Sequence, residues 1–279
     1  MKKTLNIGGK LLDLSIPQVM GILNVTPDSF YSGSRVLQLE DAYKKAEKML
    51  SEGANILDLG GHSTRPGADA VSETEEANRV LPVVEMLRKH FPRAIISIDT
   101  FRASVARQAI EAGAHIINDI AGGNLDPLMF ETVAALQVPY ILMHSRGTPQ
   151  TMKDLNQYDD LVTDIIRELQ AKIYELQQLG VKDIVADMGF GFAKNADQNY
   201  ILLRELRAFE ILNVPLLVGV SRKSMIWRKL NITPDQSLNG TTALNTVALL
   251  NGASILRVHD VKEAVETVKL IQLLHETHP

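Results

Sequence analysis

No cysteine occurs among the 279 residues, which excludes disulfides, thiolate metal sites, CxxC redox chemistry and cysteine nucleophiles together. No window approaches the roughly 18 consecutive apolar residues of a membrane span. The basic start, MKKTLNIGGK, has no apolar stretch behind it to make a signal peptide. Neither GxGxxG nor a GxxxxGKS/T loop is present, so the common glycine-rich nucleotide cradles are missing. The formal net charge is −4; without a basic excess, no broad surface is expected for nucleic acid or for a membrane, and any anion site must be local. Aromatic residues are 5% and charged residues 22%, beside 45% apolar residues, the balance of a well-cored chain rather than a disordered one. A reducing cytoplasm is the expected location.

What the chain does have is a repeated alternation. Short apolar, β-rich runs at 18–24, 55–59, 94–98, 115–117, 139–143, 183–186, 216–220 and 254–258 are separated by helical spacings such as Leu161, Ile165, Leu169, Ile173 and Leu176. Thr100 is placed to N-cap the helix through Val105 and Ile110. Helices are expected over 126–137 and 201–209, and Pro82 predicts a kink or a late start in the helix through Val80, Val84 and Leu87. Eight such units without hairpin signals argue for parallel strands joined by crossovers. At a length near the roughly 250 residues of one α/β barrel, they predict a (β/α)8 TIM barrel forming a single domain over 1–279. The competitor, an open doubly wound sheet, usually has fewer strands and a glycine-rich first turn. Residues 1–16 alternate polar and apolar around Gly8-Gly9 and read as a short N-terminal β-hairpin placed to plug or cap something.

Nearly every run ends in a reactive side chain. In a barrel the carboxyl ends of all strands converge on one face, which would gather Asn24, Asp58, Asp99, Asn118, His144, Asp187, Lys223, Arg257 and His259. A lone Asp at a strand end is as readily a helix cap or turn former, and Asp58 could simply brace its loop; the weight lies in the recurrence. In PLLVGVSRKSMI, 215–226, an apolar run breaks into Ser221, Arg222, Lys223 and Ser224, and two adjacent cations would be costly to bury unpaired. The rest sorts by charge. Arg65, Arg257 and His259 offer a cationic cradle for phosphate or pyrophosphate, to which Asn24 could add an oxygen ligand for a Mg²⁺ that keeps most of its waters. Asp99, Asn118 and Asp187 could read the donor edge of a heterocycle, with Lys223 as the cation near the ring. The plainer readings are a surface Arg65, a structural ion pair at Arg257, internally partnered carboxylates and a solvated Lys223.

NVTPDSF at 24–30, GGHSTRPGA at 60–68, SIDT at 97–100, NDI at 118–120, DMGFGFAK at 187–194, SRKSMI at 221–226 and RVHD at 257–260 together resemble, in order, the motif set of bacterial dihydropteroate synthases. The resemblance implies a pterin-binding TIM barrel of folate biosynthesis. Its substrates would be 6-hydroxymethyl-7,8-dihydropterin pyrophosphate and p-aminobenzoate, and its products 7,8-dihydropteroate and pyrophosphate. Residue by residue, it implies that Asp99, Asn118, Asp187, Lys223 and Arg257 hold the pterin, and that Asn24, Thr64, Arg65, Arg257 and His259 handle pyrophosphate and Mg²⁺. Ser63, Thr64, Pro66, Phe192, Lys223 and Ser224 would surround p-aminobenzoate, whose place sulfonamides take. A homodimer through the later outer helices is also implied. Two departures stand out: Met188 and Ala193 replace a Pro and a Gly common in relatives, and only local loop differences are expected from them.

With those substrates, the residues predict a dissociative, SN1-like substitution. Mg²⁺, Arg65, Arg257 and His259 would stabilise the leaving pyrophosphate, while Asp99 and Asp187 favour the cationic pterin. Ser224 would start a helix whose N–H groups receive the p-aminobenzoate carboxylate. Loops 25–35 and 62–70 would close as lids. Arg222, left without a ligand, is expected to be a structural ion pair. Three rivals remain on the residues alone: a corrinoid-dependent methyltransferase that binds methyl-tetrahydrofolate, a Schiff-base aldolase using Lys223, and a pterin-binding barrel without activity. The first has little use for a pyrophosphate cradle, and the second wants a more apolar setting for its lysine.

Overall fold

The alternation closes into a ring. The structure, a computed structural model, describes residues 2–25, 35–62, 71–148 and 150–276. Two strands, β1 Thr4–Ile7 and β2 Lys10–Asp13, form an antiparallel hairpin turned on Gly8 and Gly9 at φ 56° and 89°, conformations that glycine adopts without steric cost. Eight parallel strands follow: β3 Gln18–Asn24, β4 Ile56–Gly60, β5 Ile95–Asp99, β6 Ile116–Asp119, β7 Tyr140–Met143, β8 Ile184–Asp187, β9 Leu216–Val218 and β10 Ile255–Val258. Each pairs with its successor, and β10 pairs with β3, closing the expected barrel. The outer helices are α1 Arg35–Ser51, α2 Glu73–His90, α3 Ala103–Glu111, α4 Met129–Leu136, α5 Leu161–Gln178, α6 Ala196–Arg204, α7 Ser224–Trp227, α8 Leu238–Leu250 and α9 Val261–Glu276.

The period of two along each strand divides the apolar residues into two cores. Val19, Leu57, Leu59, Ile96, Ile98, Leu142 and Leu256 pack outward with the helices in the larger one. Met20, Ile56, Ile116, Ile141, Val185, Leu217 and Ile255 fill the barrel interior, and Leu5, Ile7 and Leu14 of the hairpin join them. The hairpin is therefore a plug for the amino-terminal mouth. Each of those three side chains contributes on the order of 1.5–3 kcal/mol by apolar burial, and Lys2 ties the plug to Asp183 at 2.7 Å. Two residues further along each strand, on the same inward face, the apolar filling gives way to Asp58, Ser97, Asn118, Asp187 and Arg257. One mouth is sealed with hydrocarbon and the other is lined with charge.

Local caps and element ends differ from the sequence reading at several points. Thr100 does not cap α3; its Oγ1 accepts from Arg102 N at 3.2 Å, while Asp126 Oδ2, from the next crossover, accepts from Ala103 N at 2.7 Å. Committed there, Asp126 stands outside α4, which begins at Met129. The helix expected over 201–209 is α6 ending at Arg204, followed by a 3-10 segment at Leu206–Leu212. Strand β9 stops at Val218 rather than at Val220, because the chain is already turning toward Arg222, which takes φ 55°. Helix α2 begins at Glu73, capped by Ser72, whose side chain accepts from Glu75 N, and contains Pro82, so of the two outcomes expected there the late start is not met.

Candidate active site

One rung of the barrel carries the first part of the site. Asn24 pairs in register with Gly60, Gly60 with Asp99, and Asp99 with Asn118. Four consecutive strands thus present a polar or vacant position at the same height. Gly60 leaves the space between its neighbours open: a Cβ there would come into van der Waals contact with Asn24 Oδ1 at 3.4 Å and Asp99 Cβ at 3.5 Å.

Arg257, on the last strand, reaches across this rung. Its Nε donates to Asp58 Oδ2 at 2.6 Å and its Nη2 to Asp99 Oδ2 at 2.6 Å, while Asn118 Nδ2 donates to the same Asp58 oxygen at 3.0 Å. Burial works against the charge on Arg257, but Asp58 and Asp99 outweigh it and raise its pKa. Burial also pushes the Asp99 carboxyl up to about 6, helped by the charge of Asp58 and opposed by Arg257. Asp58 Oδ1, Asp99 Oδ1 and Ser97 Oγ are buried with no hydrogen-bond partner among the described residues. Buried acceptors left this way are rare in folded proteins, and here they are grouped on neighbouring strands, so the pocket floor is built to receive donors.

Asp187 ends β8. Its Oδ1 accepts from Gly189 N at 2.7 Å, and burial raises its pKa while Lys223 and the Gly189 N–H hold it down. Lys223 caps the start of α7 with Ser224 as the first helical residue, as the sequence predicts. Burial pulls the Lys223 ammonium down to about 8, against the pull of Asp187. Its Nζ donates to Phe190 O and stands 5.0 Å from the centre of the Phe192 ring. His259 follows β10; its Nδ1 lies 3.1 Å from Ser221 Oγ, which also accepts from His259 N at 3.2 Å. Arg222 is the structural ion pair expected of it, a two-point contact to Asp260 at 3.1 and 2.6 Å with Asp235 at 3.1 Å. Ser63, Thr64, Arg65 and Pro66, and most of both expected lids (26–34 and 63–70), lie outside the described residues. The flanks of the second are tied down: Arg79 Nη1 donates to Gly61 O at 3.0 Å and Arg102 Nη2 to Val71 O at 2.6 Å.

His144 does not join the others. Met143 holds the inward position of β7, so His144 falls on the outward side, where its ring lies between Glu168 Oε2 at 3.0 Å and Lys194 Nζ at 2.9 Å. Asp119 is likewise outward, accepting from Tyr140 Oη at 2.7 Å, with Asn118 as the inward neighbour. Two groups carry more of the site than the sequence reading gave them. Asp58 is the anchor of Arg257 rather than a loop brace; the signal was an acid in the middle of the buried run ILDLG. Lys194 is buried beside the loop that bears Phe192, with nothing in the sequence but its place at the end of DMGFGFAK to mark it. Ala193 adopts φ 48° and Met188 is fully buried in the outer core, so the two departures change the loop's strain and packing and no polar contact.

The profile of the pterin binding enzyme family matches residues 20–259. The dihydropteroate synthase of Escherichia coli K12 is 47% identical over 266 residues, 95% of this chain and 94% of that one. The crystal structure of the Yersinia pestis dihydropteroate synthase in complex with a sulfonamide drug superposes with a TM-score of 0.92 at 46% identity, covering 98% of this chain and all of that one. The Xanthomonas albilineans dihydropteroate synthase with 4-aminobenzoic acid gives a TM-score of 0.92 at 38% identity over the whole of both chains.

Proposed function

The chain belongs to the pterin binding enzyme family, and from that premise we propose that it performs the dihydropteroate synthase reaction. It condenses 6-hydroxymethyl-7,8-dihydropterin pyrophosphate with p-aminobenzoate, giving 7,8-dihydropteroate and pyrophosphate. The observation that carries this reading is the floor of the barrel mouth: carboxylates of Asp58 and Asp99 joined by Arg257, each with one oxygen lacking a donor. A fused, N–H-rich heterocycle supplies donors of that kind, and Asn118, Asp187 and Lys223 complete its surround. Asp187 retains an oxygen with no hydrogen bond among the described residues, suited to an amidine-like N–H pair.

Breaking the bond from methylene carbon to pyrophosphate oxygen leaves positive charge on the pterin and negative charge on the leaving group. Asp99 and Asp187 favour the first; Arg257, His259 and Arg65 favour the second, acting as preorganised charges in a site poor in water. The arylamine nitrogen then attacks the methylene and loses its proton. Phe192, Lys223 and Ser224, with Ser63, Thr64 and Pro66, form the p-aminobenzoate side, the subsite in which sulfonamides would compete. Asn24 fits a Mg²⁺ site of the substrate-assisted kind. Its amide oxygen is a hard donor on the same rung as Asp99. Among the described residues no three acids or histidines cluster as a metal cage, which suits an ion that keeps its waters and leans on phosphate oxygens. When bound, it would neutralise charge on the pyrophosphate.

A homodimer is supported by the outer surface: Val247 and Leu250 of α8 and Leu270, Leu273 and Leu274 of α9 are exposed on two helices that pack together. Among the described residues no helix is long and apolar enough to cross a membrane, and the absence of cysteine suits a cytoplasmic enzyme. The test is a coupled assay: release of pyrophosphate from the pterin substrate, dependent on both p-aminobenzoate and Mg²⁺, in one-to-one ratio with dihydropteroate. Binding of the pterin without p-aminobenzoate-dependent pyrophosphate release would leave only a pterin-binding barrel.

A further inference from the structure

We propose that Lys194 is a positioning residue for p-aminobenzoate: its ammonium clamps both ends of the turn 189–192 and thereby fixes the Phe192 ring. The proposal rests on the reading of this site as a p-aminobenzoate-condensing centre. Lys194 is almost wholly buried, and its Nζ has three acceptors, His144 Nδ1 at 2.9 Å, Gly189 O at 3.1 Å and Phe192 O at 2.9 Å. Three acceptors match the three N–H bonds of an ammonium. The turn is closed by Phe192 N donating to Gly189 O at 3.0 Å, so one side chain holds the carbonyls of its first and last residues. Within it, Gly191 N is held by Asn199 Oδ1 at 2.7 Å. Just past it, Ala193 O accepts from Tyr158 Oη at 2.9 Å.

The clamp reaches back to the outer helices. Burial, with the Lys194 charge beside it, lowers the His144 pKa to about 4, so the ring is neutral near pH 7. Accepting from Lys194 at Nδ1 then sets its tautomer, with Nε2–H donating to Glu168. Glu168 is fixed in turn by Arg146, whose Nε donates to it at 3.1 Å. Burial draws the Lys194 ammonium down to about 7, while Asp187 supports the charge and Lys223 opposes it. A buried ammonium is an expensive way to hold a loop, and an apolar side chain of the same length would serve packing alone equally well. What an apolar residue cannot do is direct two carbonyls toward one point. A carbonyl between them, Phe190 O, accepts from Lys223, so the backbone of this turn is held by two cations, Lys223 on the side of Asp187 and Lys194 on the side of His144.

Steady-state kinetics with both substrates varied tests this on the full-length enzyme. Lys194→Met, which keeps the length and removes the donors, should raise KM for p-aminobenzoate about tenfold, the effect of losing roughly one charged hydrogen bond's worth of order. KM for the pterin pyrophosphate should stay within about twofold. His144→Asn retains an acceptor near the Nδ1 position and should behave like wild type, whereas His144→Leu should reproduce the Lys194→Met split. An equal rise in both KM values, or no rise in either, would overturn the proposal. So would indistinguishable His144→Asn and His144→Leu enzymes, and that pair decides the matter if Lys194→Met does not fold. Wild-type turnover reports on the condensation itself: an inactive wild type strikes the underlying reading, while an active one with unsplit variants strikes only the role of Lys194.

Discussion

Replacing Arg257 by methionine removes the cation that two buried carboxylates share, and the damage should depend on pH. Asp99 titrates at about 6 in the folded chain, above its ordinary 3.8. A carboxyl shifted upward in this way contributes stability that is fully present below about pH 3.8 and lost as the pH rises through about 6. At roughly 1.4 kcal/mol per pH unit over about two units, charging Asp99 already costs about 3 kcal/mol at neutral pH. Arg257 limits that cost by holding the pKa down. In Arg257→Met the folded pKa moves further up, so the added penalty is felt where Asp99 must ionise and is small where it binds a proton. Removing one partner of a buried pair costs on the order of 3–5 kcal/mol. At about 2 °C per kcal/mol for a chain of this size, the melting midpoint should fall by roughly 6–10 °C at pH 8 and by half of that or less at pH 5. Thermal melts of both proteins followed by circular dichroism at the two pH values make the comparison. Equal drops at pH 5 and pH 8 would refute the reasoning, because they would assign the loss to the packing of the arginine stem and not to its charge.

Lys223→Ala and Asp187→Asn should each lower turnover by about a hundredfold or more, on the scale of single preorganised groups in active sites; variants that turn over at the wild-type rate would sink the proposed mechanism. Gly60→Ala places a methyl group 3.4 Å from Asn24 Oδ1 and should raise KM for the pterin pyrophosphate and the Mg²⁺ concentration needed for half-maximal rate. An unchanged Mg²⁺ titration would count against Asn24 as the metal ligand. Ala193→Gly relieves a left-handed residue and should leave stability unchanged or raise it by up to about 1 kcal/mol, read as a small upward shift in the denaturant midpoint. Arg222→Gln, which loses the two-point contact to Asp260, should lower the melting midpoint by a few degrees with kcat/KM within about twofold; a large kinetic loss would mean that Arg222 touches substrate after all.

The barrel and most of the charged mouth are legible before folding, since both are written in local pattern. An apolar run that stops at Asp99 or Asp187, or breaks into Ser221-Arg222-Lys223, announces a strand end with something to do, and eight such runs separated by helical spacings leave few ways to connect them. Even Arg222 was placed by elimination, as the one cation of SRKSMI without a ligand. Which of two neighbours faces inward is settled only when the sheet closes. Asn118 and Asp119 are equally polar and adjacent, and His144 follows directly on Met143; only closure of the sheet, with its register and its period of two, sends Asn118 and Met143 into the barrel and leaves Asp119 and His144 behind it. It also decided the partners. Arg257 meets Asp58 across 199 positions of chain, and Lys194 meets His144 across 50. No spacing rule spans such distances, because those contacts exist only once β10 has paired with β3 and the crossovers have brought the strand ends to one face.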